Sequence, residues 1–356
     1  MPERPESKPE HPGTGRRHRF ALPRWAWWSA AVIVAVITAF LVVSRRRELV
    51  EAFHLIAEVS LPRLAVGAVL QAASLVCLGA VFRWLLRAGG TRWSLRRWMG
   101  IMLGANALAG AVPGGAALAT AWTFRQLRRR GVEEVLAAAV LVVAGTLSAF
   151  GLGLLVVAGL LTAGSKGSAA VVHPVVGVLV AILVLAALVF CLLRFADFRA
   201  RAGRTWTDLG RQYARVGEFQ KSLDHLVSQV HALNPGFRPW LVPATLALLN
   251  WVLDAACLVA CMWALNISPP WHGVLLAFAL TQIPGSLRLT PGGLGLVEAT
   301  MAALLVLYGM QAGPAIAATL LYRFLGYWVL QLVGWACWFV VSYQRVDASG
   351  ARPAPR

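Results

Sequence analysis

The chain has 356 residues, of which 58% are hydrophobic and only 13% are charged, and its mean hydropathy is +0.67. This composition excludes an ordinary soluble domain, which needs more polar surface. The net charge of +18 lies mostly in short segments between long apolar runs. That arrangement is typical of positively charged cytoplasmic loops, so we expect no nucleic-acid partner. The apolar runs are continuous and not alternating, which predicts an all-α, polytopic integral membrane protein.

Three regions are expected along the chain. Residues 1–24 are rich in Pro, Glu and Arg and are predicted to form a disordered basic cytoplasmic tail. Residues 25–343 form the membrane domain, and residues 344–356 form a second cytoplasmic tail. The first apolar run, residues 25–43, is long enough to span, and arginines follow it where a signal peptide would have its cleavage site. We therefore expect a multi-pass protein of the plasma membrane with both termini in the cytoplasm.

Apolar length predicts about six full spans, each of roughly 20 residues. They are placed at residues 25–43, 61–86, 135–161, 174–193, 241–265 and 315–341. Two further apolar stretches are interrupted: residues 99–124 contain Pro113-Gly114-Gly115, and residues 274–308 contain Pro284-Gly285 and then Pro291-Gly292-Gly293. Because Pro removes a backbone donor and Gly loosens a helix, each stretch is predicted to break at mid-depth.

The flanking charges indicate how these two stretches sit in the membrane. Arginines flank the first stretch on both sides, which predicts a re-entrant hairpin from the cytoplasm. The loops near Lys166, Pro269 and Gln311 are poor in basic residues and are predicted to be external, so the second stretch is a re-entrant hairpin from outside. Residues 194–238 hold eight basic side chains and are predicted to be cytoplasmic. The same scheme places the three arginines at residues 45–47 outside, against the positive-inside tendency.

Within the basic loop, residues 204–233 carry apolar side chains at intervals of three and four, which predicts an amphipathic cytoplasmic helix. Two interpretations stay open for this helix. It lies on the anionic lipid headgroups of the cytoplasmic face, or it packs against the neighbouring loops.

The two Pro-Gly-Gly motifs belong to an internal repeat. Pro113 and Pro291 are 178 residues apart, and the same offset pairs Gly131 with Gly309 and Ala137 with Ala315. With the opposite orientations deduced from charge, this predicts an inverted repeat, in which broken helices face a substrate at the midplane. The alternative is that the motif only allows tight helix packing. The candidate substrate-binding residues of the motifs are Pro113, Gly114, Gly115, Pro291, Gly292 and Gly293.

Four charged residues fall inside the predicted membrane elements of the second half. They are Asp254, Arg288, Glu298 and Arg323. Buried ionisable groups are costly in a membrane and are usually functional. They could form two neutralising ion pairs, Glu298 with Arg323 and Asp254 with Arg288, or a polar pocket in which an arginine meets a lipid phosphate. The sequence shows no nucleotide-binding loop, metal-ligand cluster or catalytic motif, so we expect no cofactor, no metal and no catalytic residue.

Several of these segments resemble the transmembrane region of the lysylphosphatidylglycerol synthase family. The first is Ala111-Val112-Pro113-Gly114-Gly115 followed by the basic residues 125–131, and the second runs from Pro291-Gly292-Gly293 through Glu298. The third is Leu321-Tyr322-Arg323-Phe324 with Tyr327-Trp328 in the last span. The resemblance covers roughly residues 63–343. In full-length members, a soluble domain adds an aminoacyl group to phosphatidylglycerol and the membrane half is associated with moving the product between leaflets.

The resemblance therefore implies a flippase-like membrane half. The tail after residue 343 is too short for a soluble synthase domain, so we expect a translocase and not an enzyme. The implied substrate is an anionic or aminoacylated phospholipid or a polyprenyl-linked lipid. No ATPase motif is present, so movement would be downhill or ion-coupled. The alternative is a membrane enzyme or accessory subunit in polyprenyl-phosphate sugar or cell-envelope glycolipid metabolism, with an envelope glycosyltransferase as a candidate partner.

Overall fold

The structure, a computed structural model, describes residues 46–163, 238–288 and 290–343. The secondary structure of these residues is entirely helical, which confirms the all-α class. In chain order the α-helices are α1 (Arg46–Ala57), α2 (Leu61–Ala88), α3 (Leu95–Ala111), α4 (Gly115–Arg129), α5 (Glu134–Ala163), α6 (Arg238–Ala264), α7 (Val274–Leu287), α8 (Leu296–Leu307), α9 (Ala312–Arg323) and α10 (Leu330–Tyr343). A 3-10 turn, Pro291–Gly293, precedes α8, and a π-helical turn, Phe324–Val329, joins α9 to α10.

Four helical segments of the described part are long and apolar enough to cross a membrane. They are Leu61–Ala88, Leu136–Ala163, Pro239–Ala264 and Ala312–Tyr343. Each corresponds to one of the predicted full spans. The other two predicted spans, the amphipathic helix and both tails lie outside the described residues, so the total of six spans stays a prediction. Helix, break and helix follow one another in both interrupted stretches, and their re-entrance into the bilayer also stays a prediction.

Helices α2 and α6 pack antiparallel along their length. Near the middle, the Asn250 side-chain amide donates to the Ser74 hydroxyl at 2.6 Å, and that hydroxyl donates to the Asn250 carbonyl at 2.9 Å. At one end, the backbone N–H of Ser60 donates to the carbonyl of Ala264 at 2.9 Å. Arg63 also donates to the Trp263 carbonyl at 3.2 Å. In apolar surroundings such polar contacts hold helices together, because the alternative is an unsatisfied group.

The contacts sort the connecting segments into two groups. In the first, Glu51 of α1 lies against Gly313 at the start of α9, and Gly273 packs on the ring of Tyr308. In the second, Gly89 after α2 packs on Leu136 at the start of α5, and the Trp84 and Trp240 rings lie 5.6 Å apart. The first group contains segments predicted to be external and the second contains segments predicted to be cytoplasmic. The side of the membrane that each group faces stays a prediction.

Cysteine labelling tests these sides. On a cysteine-free background, Gln311→Cys should react with a membrane-impermeant maleimide added to intact cells, because the loop before α9 is predicted to be external. Arg92→Cys should react only after permeabilisation. Both positions are exposed in the structure, so reactivity depends on the side and not on burial. Labelling of Gln311→Cys solely from the cytoplasm would contradict the predicted topology.

Candidate functional site

The breaks of the two interrupted stretches contact each other. The turn between α3 and α4 holds Gly114, whose backbone N–H donates to the carbonyl of Arg288, just after α7, at 2.9 Å. The Tyr327 hydroxyl, in the π-helical turn, donates to the carbonyl of Gly110 near the end of α3 at 3.2 Å. One backbone N–H of the first break is thus satisfied by the second, and the carbonyl of Gly110 is satisfied by the last span. The sequence predicted each break but not this contact between them.

Some matched positions of the predicted repeat share backbone conformation, although Gly115 is helical where its counterpart Gly293 has φ 71°. Matched glycines of the two halves adopt left-handed conformations, which L side chains rarely adopt. The pairs are Gly114 (φ 67°) with Gly292 (φ 62°), and Gly131 (φ 81°) with Gly309 (φ 94°). The paired alanines Ala137 and Ala315 are both fully buried. These agreements support the predicted repeat, since chance matches of common residues need not share backbone conformation, and the inverted arrangement stays a prediction.

Glu298 and Arg323 form an ion pair beside the second break. The Arg323 Nε lies 2.6 Å from Glu298 Oε1, and both side chains are largely buried, with 11% and 19% of their surface exposed for Arg323 and Glu298. The other carboxylate oxygen accepts the backbone N–H of Gly295 at 2.7 Å and so caps the start of α8. Arg323 also donates to the carbonyl of Gly292 at 2.9 Å and lies 4.5 Å from the centre of the Tyr327 ring. One guanidinium therefore fixes the 3-10 turn, the start of α8 and the π-helical turn.

Arg288 carries the second guanidinium near the contact between the two breaks. Its backbone has φ 44°, a conformation that is unusual for a non-glycine residue and is often retained at functional sites. Its Nη2 donates to the side-chain oxygen of Asn106 in α3 at 3.0 Å. Among the described residues it has no carboxylate partner, and it lies close enough to Arg323 for the two charges to interact. The cluster thus holds two guanidinium groups and one carboxylate, and that carboxylate, of Glu298, pairs with Arg323.

We call this group of side chains and glycines the tip cluster. Its members are Asn106, Gly114, Arg288, Gly292, Glu298, Arg323 and Tyr327. The predicted site residues Pro113, Gly115, Pro291 and Gly293 form the backbone of the two turns that carry it. Asn106 and Tyr327 were not among the predicted site residues, although Tyr327 lies in the last-span segment that carries the family resemblance. Asn106 had a usable signal, because it is a polar amide within an apolar stretch.

Asp254 lies in a different contact, and the predicted ion pair between Asp254 and Arg288 is wrong. The Tyr322 hydroxyl donates to Asp254 Oδ1 at 2.9 Å, and the Gln282 amide lies 3.4 Å from that hydroxyl. Tyr322 and Arg323 are consecutive on α9, so their side chains point to different sides of the helix. Tyr322 on one side contacts Asp254, and Arg323 on the other side belongs to the tip cluster. The two charged groups are therefore separate.

The turn Phe324–Val329 is π-helical and begins directly after Arg323. Such turns are rare in proteins, and those that occur are often found at functional sites. It presents Tyr327 to Arg323 and to Gly110, and Gln331 follows it and donates to the carbonyl of Ala107 at 2.8 Å. Two hydrogen bonds, from Tyr327 and from Gln331, therefore join the last span to α3.

These features define the class: a multi-pass helical membrane protein whose two broken helical stretches meet at a charged cluster. The family described as "Lysylphosphatidylglycerol synthase TM region" matches residues 27–334, and the chain belongs to it. This confirms the resemblance read from the motifs. All members of the tip cluster lie within the matched residues.

Two similar proteins come from Methanothermobacter thermautotrophicus, and each is described as a "UPF0104 membrane protein". One is 29% identical over 89 residues, which is 25% of this chain and 27% of the relative. The other is 25% identical over 118 residues, which is 31% of this chain and 34% of the relative. The matched segments thus span about a third or less of either relative's own length.

Proposed function

We propose that this protein is a lipid translocase of the plasma membrane and that its tip cluster binds the phosphate of a lipid headgroup. The observation that supports this most is the excess guanidinium. Within the described residues, Arg288 and Arg323 lie close enough to interact, and the carboxylate of Glu298 pairs with Arg323 and not with Arg288. An unbalanced charge in a membrane domain is costly unless a ligand or water compensates it.

A phosphate diester has the charge and shape that the cluster lacks. Guanidinium presents a planar set of N–H donors that match phosphate oxygens. Arg323 is already engaged by Glu298 and by the carbonyl of Gly292, whereas Arg288 has a neutral amide partner in Asn106. Arg288 is therefore the residue with donors to offer. Anionic phospholipids, aminoacylated phospholipids and polyprenyl-linked lipids all carry this phosphate, so the proposal names the shared group.

The surrounding backbone also suits a translocation site. In transporters, broken helices place backbone groups near the substrate at the membrane midplane, and movement of one repeat against the other gives access from alternate sides. Here the turns of both repeats meet at a hydrogen bond from Gly114 to Arg288. A headgroup at this contact would touch both halves at once. The contacts of such a headgroup would therefore change when the two halves move apart.

The geometry of Glu298 favours a translocase over the alternative, an enzyme of polyprenyl-phosphate sugar metabolism. A general base needs a carboxylate oxygen free to accept a proton from substrate or water. One oxygen of Glu298 is bound to Arg323 and the other to the backbone N–H of Gly295. Both are therefore engaged in holding the turn. An envelope glycosyltransferase could still be a partner that supplies or uses the lipid.

Arginines after the first hairpin form a surface that we propose rests on anionic lipid headgroups. Burial, with Arg97 and Arg129 nearby, lowers the pKa of the Arg130 guanidinium. Crowded like charges of this kind are relieved by anions, and the cytoplasmic leaflet supplies them. This surface orients the protein with its termini in the cytoplasm, in line with the charge pattern.

Lipid movement in reconstituted vesicles tests the proposed function. Arg288→Gln should slow the movement of a fluorescent phosphatidylglycerol analogue by roughly 10- to 100-fold, because a hydrogen bond to a charged group contributes about 1.5–3 kcal/mol. The melting temperature in detergent should change little, since Arg288 has no ionic partner to leave unpaired. The matched control is Arg63→Gln, which removes an arginine bonded to Trp263 outside the tip cluster and should leave the rate unchanged.

Two results would count against these assignments. A rate in the Arg288→Gln protein equal to wild type would remove Arg288 from the headgroup site. A wild-type rate no higher than that of protein-free vesicles, for every phosphate-bearing lipid tried, would contradict the translocase function itself.

A further inference from the structure

Asp254 is a carboxyl group in the middle of an apolar span with no cationic partner among the described residues. It accepts a hydrogen bond from Tyr322 at 2.9 Å and also interacts with Gln71. A carboxylate left in a membrane without a counter-charge is strongly disfavoured. It must therefore bind a proton or a cation, or be reached by water.

The side chains facing Asp254 are neutral on every packed element. Helix α2 contributes Gln71 and α9 contributes Tyr322, whose hydroxyl also lies 3.4 Å from the amide of Gln282 in α7. On its own helix, α6, the nearest titratable group is the Cys257 thiol. Helix α5 packs on α6 as well and has no titratable side chain after Glu134 at its start. The nearest charge along α9 is Arg323, which is paired with Glu298.

One neighbour also lacks a hydrogen-bond donor. The amide oxygen of Gln71 is buried with no partner, and Gln71 as a whole is only 6% exposed. An unsatisfied buried acceptor is costly. A neutral, protonated Asp254 carboxyl carries one O–H donor, whereas the carboxylate carries none. Protonation therefore removes the buried charge and adds an O–H donor beside the side chain of Gln71.

We propose that Asp254 is a proton-binding site that couples proton movement to lipid movement. The inference rests on the proposed translocase function. A proton binds to a carboxylate oxygen of Asp254 when the site is open to one side, and it leaves from the same group when the site is open to the other. The hydrogen bond between Tyr322 and Asp254 changes when Asp254 gains or loses a proton. Tyr322 directly precedes Arg323 of the tip cluster. The shared helix α9 and its π-helical turn connect the two sites.

The first arm of the test measures protonation directly. Infrared difference spectra of the full-length protein in vesicles, recorded as pH is stepped, should show a protonated-carboxyl band that titrates and that is missing in Asp254→Asn. The control is Cys257→Ala, which alters a buried neighbour one turn away and should keep the band. If no titrating band is lost in Asp254→Asn, the proposal is overturned, whatever the lipid assay shows.

The second arm imposes a pH gradient on the same vesicles during lipid movement. The wild-type rate should change by about fivefold or more when the gradient is applied, the range expected for coupled sites. The rate of Asp254→Asn should not respond, and Cys257→Ala should respond as wild type does. An equal response in Asp254→Asn, or dependence on a sodium gradient in place of pH, would overturn proton coupling. If wild type moves no lipid while the band titrates, the translocase function fails and the proton site stands.

Discussion

Glu298→Gln and Arg323→Gln should each abolish lipid movement and lower the thermal stability of the protein. The two side chains form a largely buried ion pair at 2.6 Å. Removing one partner leaves the other charge uncompensated, which typically costs about 3–5 kcal/mol. The loss reaches further here, because Glu298 also caps α8 and Arg323 also holds the carbonyl of Gly292. Detergent melting curves and the vesicle assay on the same preparations would measure both effects.

A double variant separates a structural role from a binding role. Glu298→Gln combined with Arg323→Met removes both charges and should recover folding. If the pair is only structural, lipid movement recovers with it. If the pair also contributes to the headgroup site, the double variant folds and remains inactive. Arg128→Gln is the matched control, because Arg128 pairs with Glu134 at 3.3 Å in an exposed position where a pair contributes about 1 kcal/mol or less. Normal melting and normal movement in both single variants would remove Glu298 and Arg323 from the site.

Gly292→Leu should disrupt the second break. Gly292 has φ 62°, and a Cβ built there would overlap the hydroxyl and ring of Tyr327. Even Gly292→Ala combines this clash with a conformation that costs an L residue about 1–2 kcal/mol. We therefore expect a large fall in folded yield for the leucine variant and a smaller one for alanine. Gly293→Leu should act similarly, since Gly293 has φ 71° and lies against Val297.

The first repeat provides a matched control for this effect. Gly114 has nearly the same backbone conformation, φ 67°, but nothing lies within 4 Å of a Cβ placed there. Gly114→Ala should therefore show only the backbone strain, and it should melt at a higher temperature than Gly292→Ala. Equal melting temperatures for Gly114→Ala and Gly292→Ala would show that the Tyr327 side chain moves aside at little cost in free energy. Wild-type yield and activity for both leucine substitutions would show that the Pro-Gly-Gly motif is incidental.

The parts of the fold that depend on local chemistry could be predicted from the sequence. The breaks at the two Pro-Gly-Gly motifs were placed correctly, because Pro and Gly weaken a helix locally. The predicted interruption at Pro284-Gly285 is wrong, since α7 continues through both residues to Leu287. The pairing of Glu298 with Arg323 was foreseen as one of two options, because charges inside an apolar span need partners. Helix α4, however, continues to Arg129, beyond the apolar stretch that was used to bound it. Helical hydrogen bonds do not end where hydropathy does.

The parts that depend on distant contacts could not be predicted. Nothing local to Gly114 indicates that its N–H bonds to the carbonyl of Arg288, since that contact depends on how the two hairpins meet. The choice of partner for Asp254 depends on which side of α9 faces α6, and consecutive residues there point to different neighbours. The π-helical turn likewise has no marker in the sequence.

The most direct test of a phosphate-recognising translocase compares two lipids in one vesicle preparation. Fluorescent analogues of phosphatidylglycerol and of glucosylceramide, which lacks a phosphate, are placed in one leaflet, and their appearance in the other is followed with wild type and with Arg288→Gln. We expect wild type to move the phosphate-bearing lipid faster than the sugar lipid, and we expect Arg288→Gln to remove this difference. Equal rates for the two lipids in wild type, or no movement of either above protein-free vesicles, would contradict this expectation.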